Sequence, residues 1–169
     1  DNASDTTAAA REVIRGWARA AGASADAAGA AVTVETIADA FRGAGLEVRV
    51  RHTGMEERMP EPVADFVARL VEEALTHVVR HARATCAEAD LAQTAEEIRI
   101  TLRDNGMVRP TAEGFGIRSL RERAIALGGD FASGAARSAP LDDRKERRGG
   151  WRVTSRVQFV PVDRAPQSS

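Results

Sequence analysis

The sequence predicts a mixed α+β fold in which a mostly antiparallel sheet is covered on one face by helices, and three observations lead there. An apolar stripe at helical spacing runs from Val63 to Ala82, short runs of alternating apolar and polar residues recur on both sides of it, and a second helical pattern, Ile117 to Leu127, stands between strand-like runs. Helical and strand-like periods that alternate along one chain describe amphipathic helices and half-buried strands. Each has an apolar side to bury, and helices layered on a sheet bury both.

The elements follow in order. Asp1 to Ala10 is small and polar and reads as a loose arm. Arg11 to Ala21 is helix-like, with Val13, Ile14 and Trp17 on one side, and the stretch from Gly22 to Gly29 breaks it. Glu35 to Arg42 predicts a helix stopped by Gly43 and Gly45, and Leu46 to Val50 alternates as a half-buried strand does. Pro60 and Pro62 stand where a long helix starts, a place at which a missing amide costs least. Within that helix Val63, Phe66, Val67, Leu70, Val71, Ala74, Leu75, Val78, Val79 and Ala82 form one stripe.

Ala87 to Ala92 and Glu96 to Arg103 predict two strands around a turn, the second alternating as Ile98, Ile100 and Leu102. Ile117 to Leu127 is a helix ended by Gly128-Gly129. A strand begins at Phe131, Ala135 to Gly150 reads as a flexible loop, and Trp151 to Val160 closes the sheet. Trp17 and Trp151 are expected to be buried, and the charged run Arg144 to Arg148 to be a solvated loop.

A chain of 169 residues suits one domain with a real core. Its 24 basic and 25 acidic residues nearly cancel, which argues against charge-driven attraction to nucleic acid or an anionic membrane. Cys86 is the single cysteine, so no internal disulfide forms and a reducing, cytoplasmic compartment fits. No apolar run approaches the roughly 20 residues needed to span a bilayer, and the start lacks the order of a signal peptide.

Three stretches carry candidate chemistry. Glu73, His77 and His81 are spaced i, i+4 and i+8, with Arg80 beside them, so they rise along one margin of the long helix. Such a margin could surround a triphosphate or be a solvated edge with ordinary intrahelical pairs. Asp104 ends an apolar strand, and Gly106 lets the backbone pass close to a flat ligand; an ordinary turn has the same composition. Gly114-Phe115-Gly116 before a helix supplies free amides and a positive terminus suited to phosphate. His52 and Cys86 have no partner at ligand or triad spacing.

In the order EALTHVVRHARAT (from Glu73), Asp104-Asn105-Gly106 and GFGIRSLRERAIALGG (from Gly114), the chain resembles the ATP-binding catalytic domain of sensor histidine kinases. The likeness is to the nitrate-sensor-type branch of the GHKL ATPase superfamily, over roughly Ile37 to Val162. It implies a two-layer α/β sandwich of the Bergerat type, with residues 1–31 an arm and the end of a dimerisation helix, 32–163 the ATP-binding domain and 164–169 a tail. It implies Glu73 as the residue that orients or deprotonates the attacking group, and Arg80 and His81 as phosphate contacts. By the same resemblance Asp104 would accept from the adenine amino group, with Gly106, Gly114, Phe115, Gly116, Ile117 and Leu120 completing the ATP-binding set.

ATP and Mg²⁺ are the implied cofactors, and a dimerisation domain with a phosphoacceptor histidine and a response regulator are the implied partners. The function implied is supply of the γ-phosphate to a histidine outside this chain, in the cytoplasmic part of a two-component sensor. The chain departs from the family at His77, where the metal-binding asparagine stands, and at Val108 and Ser119, where glycines stand. An imidazole nitrogen is a poor substitute for an amide oxygen on Mg²⁺. These departures support an alternative, a pseudokinase-like module that docks partners without phosphotransfer. A switch-type serine kinase of the anti-sigma sort shares the superfamily fold, but LRERAIALGG argues against it.

Overall fold

The computed structural model describes residues 27–54, 59–107, 113–135 and 150–161. Helix α1 (Ala27–Gly43) leads into strand β1 (Glu47–Thr53); helix α2 (Glu61–His77) continues as a π-helical turn (Val78–Ala82). Then come β2 (Cys86–Gln93), β3 (Glu97–Asp104), α3 (Phe115–Ala126), β4 (Asp130–Ala135) and β5 (Trp151–Gln158). The strands form one five-stranded sheet in the order β1-β2-β3-β5-β4. Only the edge pair β1 and β2 is parallel; the other neighbours are antiparallel.

One sheet face is apolar because the strands place their small and branched residues in register. Ala89, Leu102 and Val153 align across β2, β3 and β5, as do Leu91, Ile100 and Ser155. All are buried, and the apolar ones join a single core with Val63, Phe66, Val67, Leu70, Val71, Ala74 and Leu75 of α2. Helix α3 adds Ile117, Leu120 and Ala124, and α1 adds Val34, Ile37, Ala38 and Phe41. The other sheet face carries charge: Arg49, Glu88, Arg103 and Arg152 form one row across four strands. The expected α+β sandwich is the fold observed.

Two local differences from the sequence expectation have physical causes. Helix α1 starts at Ala27 and not at Glu35, passing through Gly29. The alanines around Gly29 are strong helix formers and outweigh the one glycine. The long helix does not stay α-helical to Ala82: after His77 it widens into the π turn, which ends at Arg83 with φ 46°, a left-handed backbone. The expected i, i+4, i+8 alignment therefore stops at His77, and Arg80 and His81 sit on a differently pitched turn. The Arg11–Ala21 helix, Trp17, Val108 and the Arg144–Arg148 run lie outside the described residues.

Candidate functional site

Asp104 is the last residue of β3 and points into the buried layer, 3% exposed. Its Oδ1 accepts the backbone N–H of Gly106 at 2.6 Å, and the backbone N–H of Trp151 also bonds the carboxylate. Oδ2 is buried and has no hydrogen-bond partner among the described residues. Burial pushes the Asp104 carboxyl above its ordinary range, and the two backbone donors pull it part of the way back. A buried acceptor left unpaired costs free energy until some donor reaches it. The site is tight around this group: a Cβ at Gly150 would lie 1.8 Å from the Asp104 carbonyl oxygen and 3.0 Å from Oδ1.

The next residue fixes the strand end. Asn105 Oδ1 accepts the backbone N–H groups of Thr85 and Cys86, each at 3.0 Å, and its Nδ2 donates to Thr85 Oγ1 at 2.9 Å. One amide thus ties the end of β3 to the chain leaving the π turn. Sequence reasoning saw Asn105 only as part of a turn.

Glu73 and Gly116 meet across α2 and α3. A Cβ at Gly116 would lie 2.3 Å from Glu73 Oε2, so the carboxylate rests on the first turn of α3 only because residue 116 has no side chain. Gly114 is the N-cap of that helix and no side chain caps it. Its first amides therefore carry the partial positive charge of a helix N-terminus without a side-chain acceptor at the cap. Glu113, just before, is held by Arg121 at 2.6 Å and by the Ser133 hydroxyl; the Arg121 contact draws its carboxyl below the ordinary range. Arg121 also donates to the Phe131 carbonyl and lies over the Phe131 ring, which fastens α3 to β4.

His77, at the end of α2, packs its ring against Trp151 with centroids 4.2 Å apart and 30° between planes. Trp151 is buried at the start of β5, beside Asp104 in the β3–β5 register. It is buried as the sequence predicts, but its place in the site was not foreseen. No spacing rule brings Trp151 to His77, because the contact arises from packing of α2 on the sheet.

The structure thus groups Glu73 with Gly116, His77 with Trp151, and Asp104 with Gly106, Gly150 and Trp151. Arg80 is exposed in the π turn and His81 follows it in the backbone. Phe115 is 88% exposed, whereas Ile117 and Leu120 are core residues that seat α3. His52 lies away in β1, 3.5 Å from Glu35, and Cys86 is buried at the start of β2.

The unpaired Asp104 oxygen fits the exocyclic amine of adenine, a donor that would complete its hydrogen bonding. Magnesium fits less well. Among the described residues no group of three or more His, Cys, Asp or Glu is placed to hold a metal ion, and position 77 offers nitrogen where a hard cation takes oxygen. Among the described residues no helix is long and apolar enough to cross a membrane.

No protein-family model matches the chain. It is 32% identical over 99 residues to the sensor histidine kinase YxjM of Bacillus subtilis, covering 57% of this chain and 24% of that protein. It is 32% identical over 92 residues to the sensor histidine kinase LnrJ of the same organism, covering 54% and 23%. The chain therefore matches about a quarter of the length of these relatives. Among solved structures, the histidine kinase domain of the Erythrobacter litoralis blue-light activated histidine kinase aligns with TM-score 0.58 at 20% identity, covering 92% of this chain and 74% of that one. The mycobacterial sensor histidine kinase MprB aligns with TM-score 0.54 at 14% identity, covering 79% and 93%. The chain is a homologue of sensor histidine kinases and has the fold of their catalytic domains.

Proposed function

We propose that this chain is the ATP-binding catalytic part of a two-component sensor histidine kinase, delivering the γ-phosphoryl group to a histidine that it does not itself present. The observation that carries this reading is the buried Asp104 carboxylate, with Oδ2 awaiting a donor at the end of a central strand. Adenine supplies that donor through its amino group, while Gly106 donates to Oδ1 and Gly150 packs against the Asp104 backbone, which holds the carboxylate in place.

From Asp104 the nucleotide would extend toward the open first turn of α3 at Gly114, Phe115 and Gly116 and toward Arg80 and His81 of the π turn. Glu73, held against Gly116, is then the base: it takes the N–H proton of the accepting imidazole while the other ring nitrogen attacks phosphorus and ADP leaves with the bonding pair. Transfer of this kind relies mainly on positioning and charge neutralisation. The catalytic unit comprises the described elements within about 32–163, with α1 leading into it, on the cytoplasmic side where ATP is available. Its partners would be the dimerisation domain that carries the phosphoacceptor histidine and a response regulator.

The alternative, a docking module without phosphotransfer, is not favoured by the sensor-kinase relatives. Calorimetric titration with ATP tests the reading. Saturable binding is expected, and Asp104→Asn should weaken it about 10- to 100-fold, the worth of a hydrogen bond to a charged acceptor. Equal affinity in the two proteins would remove adenine from Asp104.

A further inference from the structure

Trp151 reaches both ends of the proposed cleft. Its backbone N–H bonds the Asp104 carboxylate, and its indole lies against the His77 ring at 4.2 Å. The first contact belongs to the adenine side; the second belongs to the helix margin from which phosphate and metal contacts would come. We propose that Trp151 is a positioning residue that holds His77 in ring contact instead of in metal ligation, and that the site accordingly takes adenine nucleotide as the metal-free anion. This inference rests on the reading of the site as a nucleotide pocket.

Three observations support it. The imidazole at position 77 lies against a buried indole, tilted by 30° with centroids 4.2 Å apart, a close contact that restricts the ring. Its donor atoms are nitrogens, which suit transition metals and not Mg²⁺. The nearest carboxylate on the same helix, Glu73, is drawn toward the first turn of α3 and rests on Gly116. Phosphate charge is then left to the uncapped α3 terminus and to the exposed Arg80 of the π turn, neither of which needs a bridging cation.

The test has two arms. Trp17→Phe leaves Trp151 as the only tryptophan, so its emission reports the contact directly, with no nucleotide present. Replacing His77 by Leu in that background should raise the emission, because an imidazole in contact quenches indole; unchanged emission would overturn the positioning role. In the second arm the unaltered chain is titrated with ATP in EDTA and in excess Mg²⁺. The expected affinities agree within about twofold, whereas His77→Asn, which restores an amide oxygen, should make Mg²⁺ tighten binding about tenfold or more.

Binding of the unaltered chain that tightens strongly with Mg²⁺ would overturn the inference and leave the nucleotide site standing. Indifference to Mg²⁺ in the His77→Asn chain would overturn the role assigned to position 77. Absence of saturable binding under both conditions would overturn the nucleotide reading, and the inference with it.

Discussion

At the scale of one residue, Asp104 sets a pH dependence whose sign can be worked out. Its carboxyl is raised mainly by burial, so the folded protein holds that proton more tightly than the unfolded chain does. The stability that this proton contributes is fully present below the ordinary carboxylate range and is lost as pH rises through the raised folded value. Ligand binding runs the other way. An adenine amine needs the ionised acceptor, so affinity should fall as pH drops through that same raised value, sooner than an ordinary aspartate would dictate. Adenosine is the probe to use, since it has no phosphate to titrate, and binding that stays flat down to the ordinary aspartate range would contradict the assignment. Asp104→Asn should abolish the dependence and leave neutral-pH stability unchanged or slightly higher, because it removes a buried charge.

At the scale of elements, two glycines make opposite predictions because different atoms face them. At Gly116 the atom in the way is the end of the Glu73 side chain, which can rotate, and alanine is the better helix former. Gly116→Ala should therefore stay within about 1 kcal/mol of the parent in urea unfolding. It should nevertheless depress phosphotransfer, since Glu73 has to leave the first turn of α3. At Gly150 the obstacle is the Asp104 backbone carbonyl itself. Gly150→Ala should cost about 3 kcal/mol, the upper end for an overpacked site, and weaken nucleotide binding through the same displacement. A Gly116 variant that unfolds early, or a Gly150 variant as stable as the parent, would reverse this ranking.

The same elements show what was legible in advance. The stripe from Val63 to Leu75 reads directly from residue spacing, and Gly128-Gly129 marks the end of α3. The π turn does not read out, because Val78 and Val79 continue the apolar spacing whichever helix they belong to. Glu73, Asp104 and Gly116 were singled out by the resemblance of the stretches around them to the histidine-kinase catalytic domain, because a helix margin, a turn and a glycine pair each have an ordinary reading when taken alone. Trp151, Gly150 and Asn105 were missed because their importance arises from the pairing of β3 with β5 and with the start of β2, which no local pattern encodes.

At the scale of the whole molecule, the sheet has one face sealed by helices and one face that is polar, and each face is held by different forces. The inner face follows from apolar burial. The outer face carries Glu88, which is 3% exposed although charged, and Arg103 and Arg49 reach it from the strands on either side at 2.7 and 3.6 Å. This arginine–glutamate–arginine row spans the parallel junction of β1 with β2 and the antiparallel junction of β2 with β3, so it bridges the place where the sheet changes sense. Both arginines are partly exposed and can rehydrate if the carboxylate is lost, which puts the cost below that of breaking a fully buried pair. Glu88→Ala should therefore destabilise the fold by about 1–3 kcal/mol in urea unfolding, with Glu88→Gln recovering part of it through its remaining acceptor. Because the row lies on the face away from Asp104, the nucleotide affinity of the folded Glu88→Ala protein should match the parent. A loss of affinity without a loss of stability would show instead that the outer face is coupled to the site.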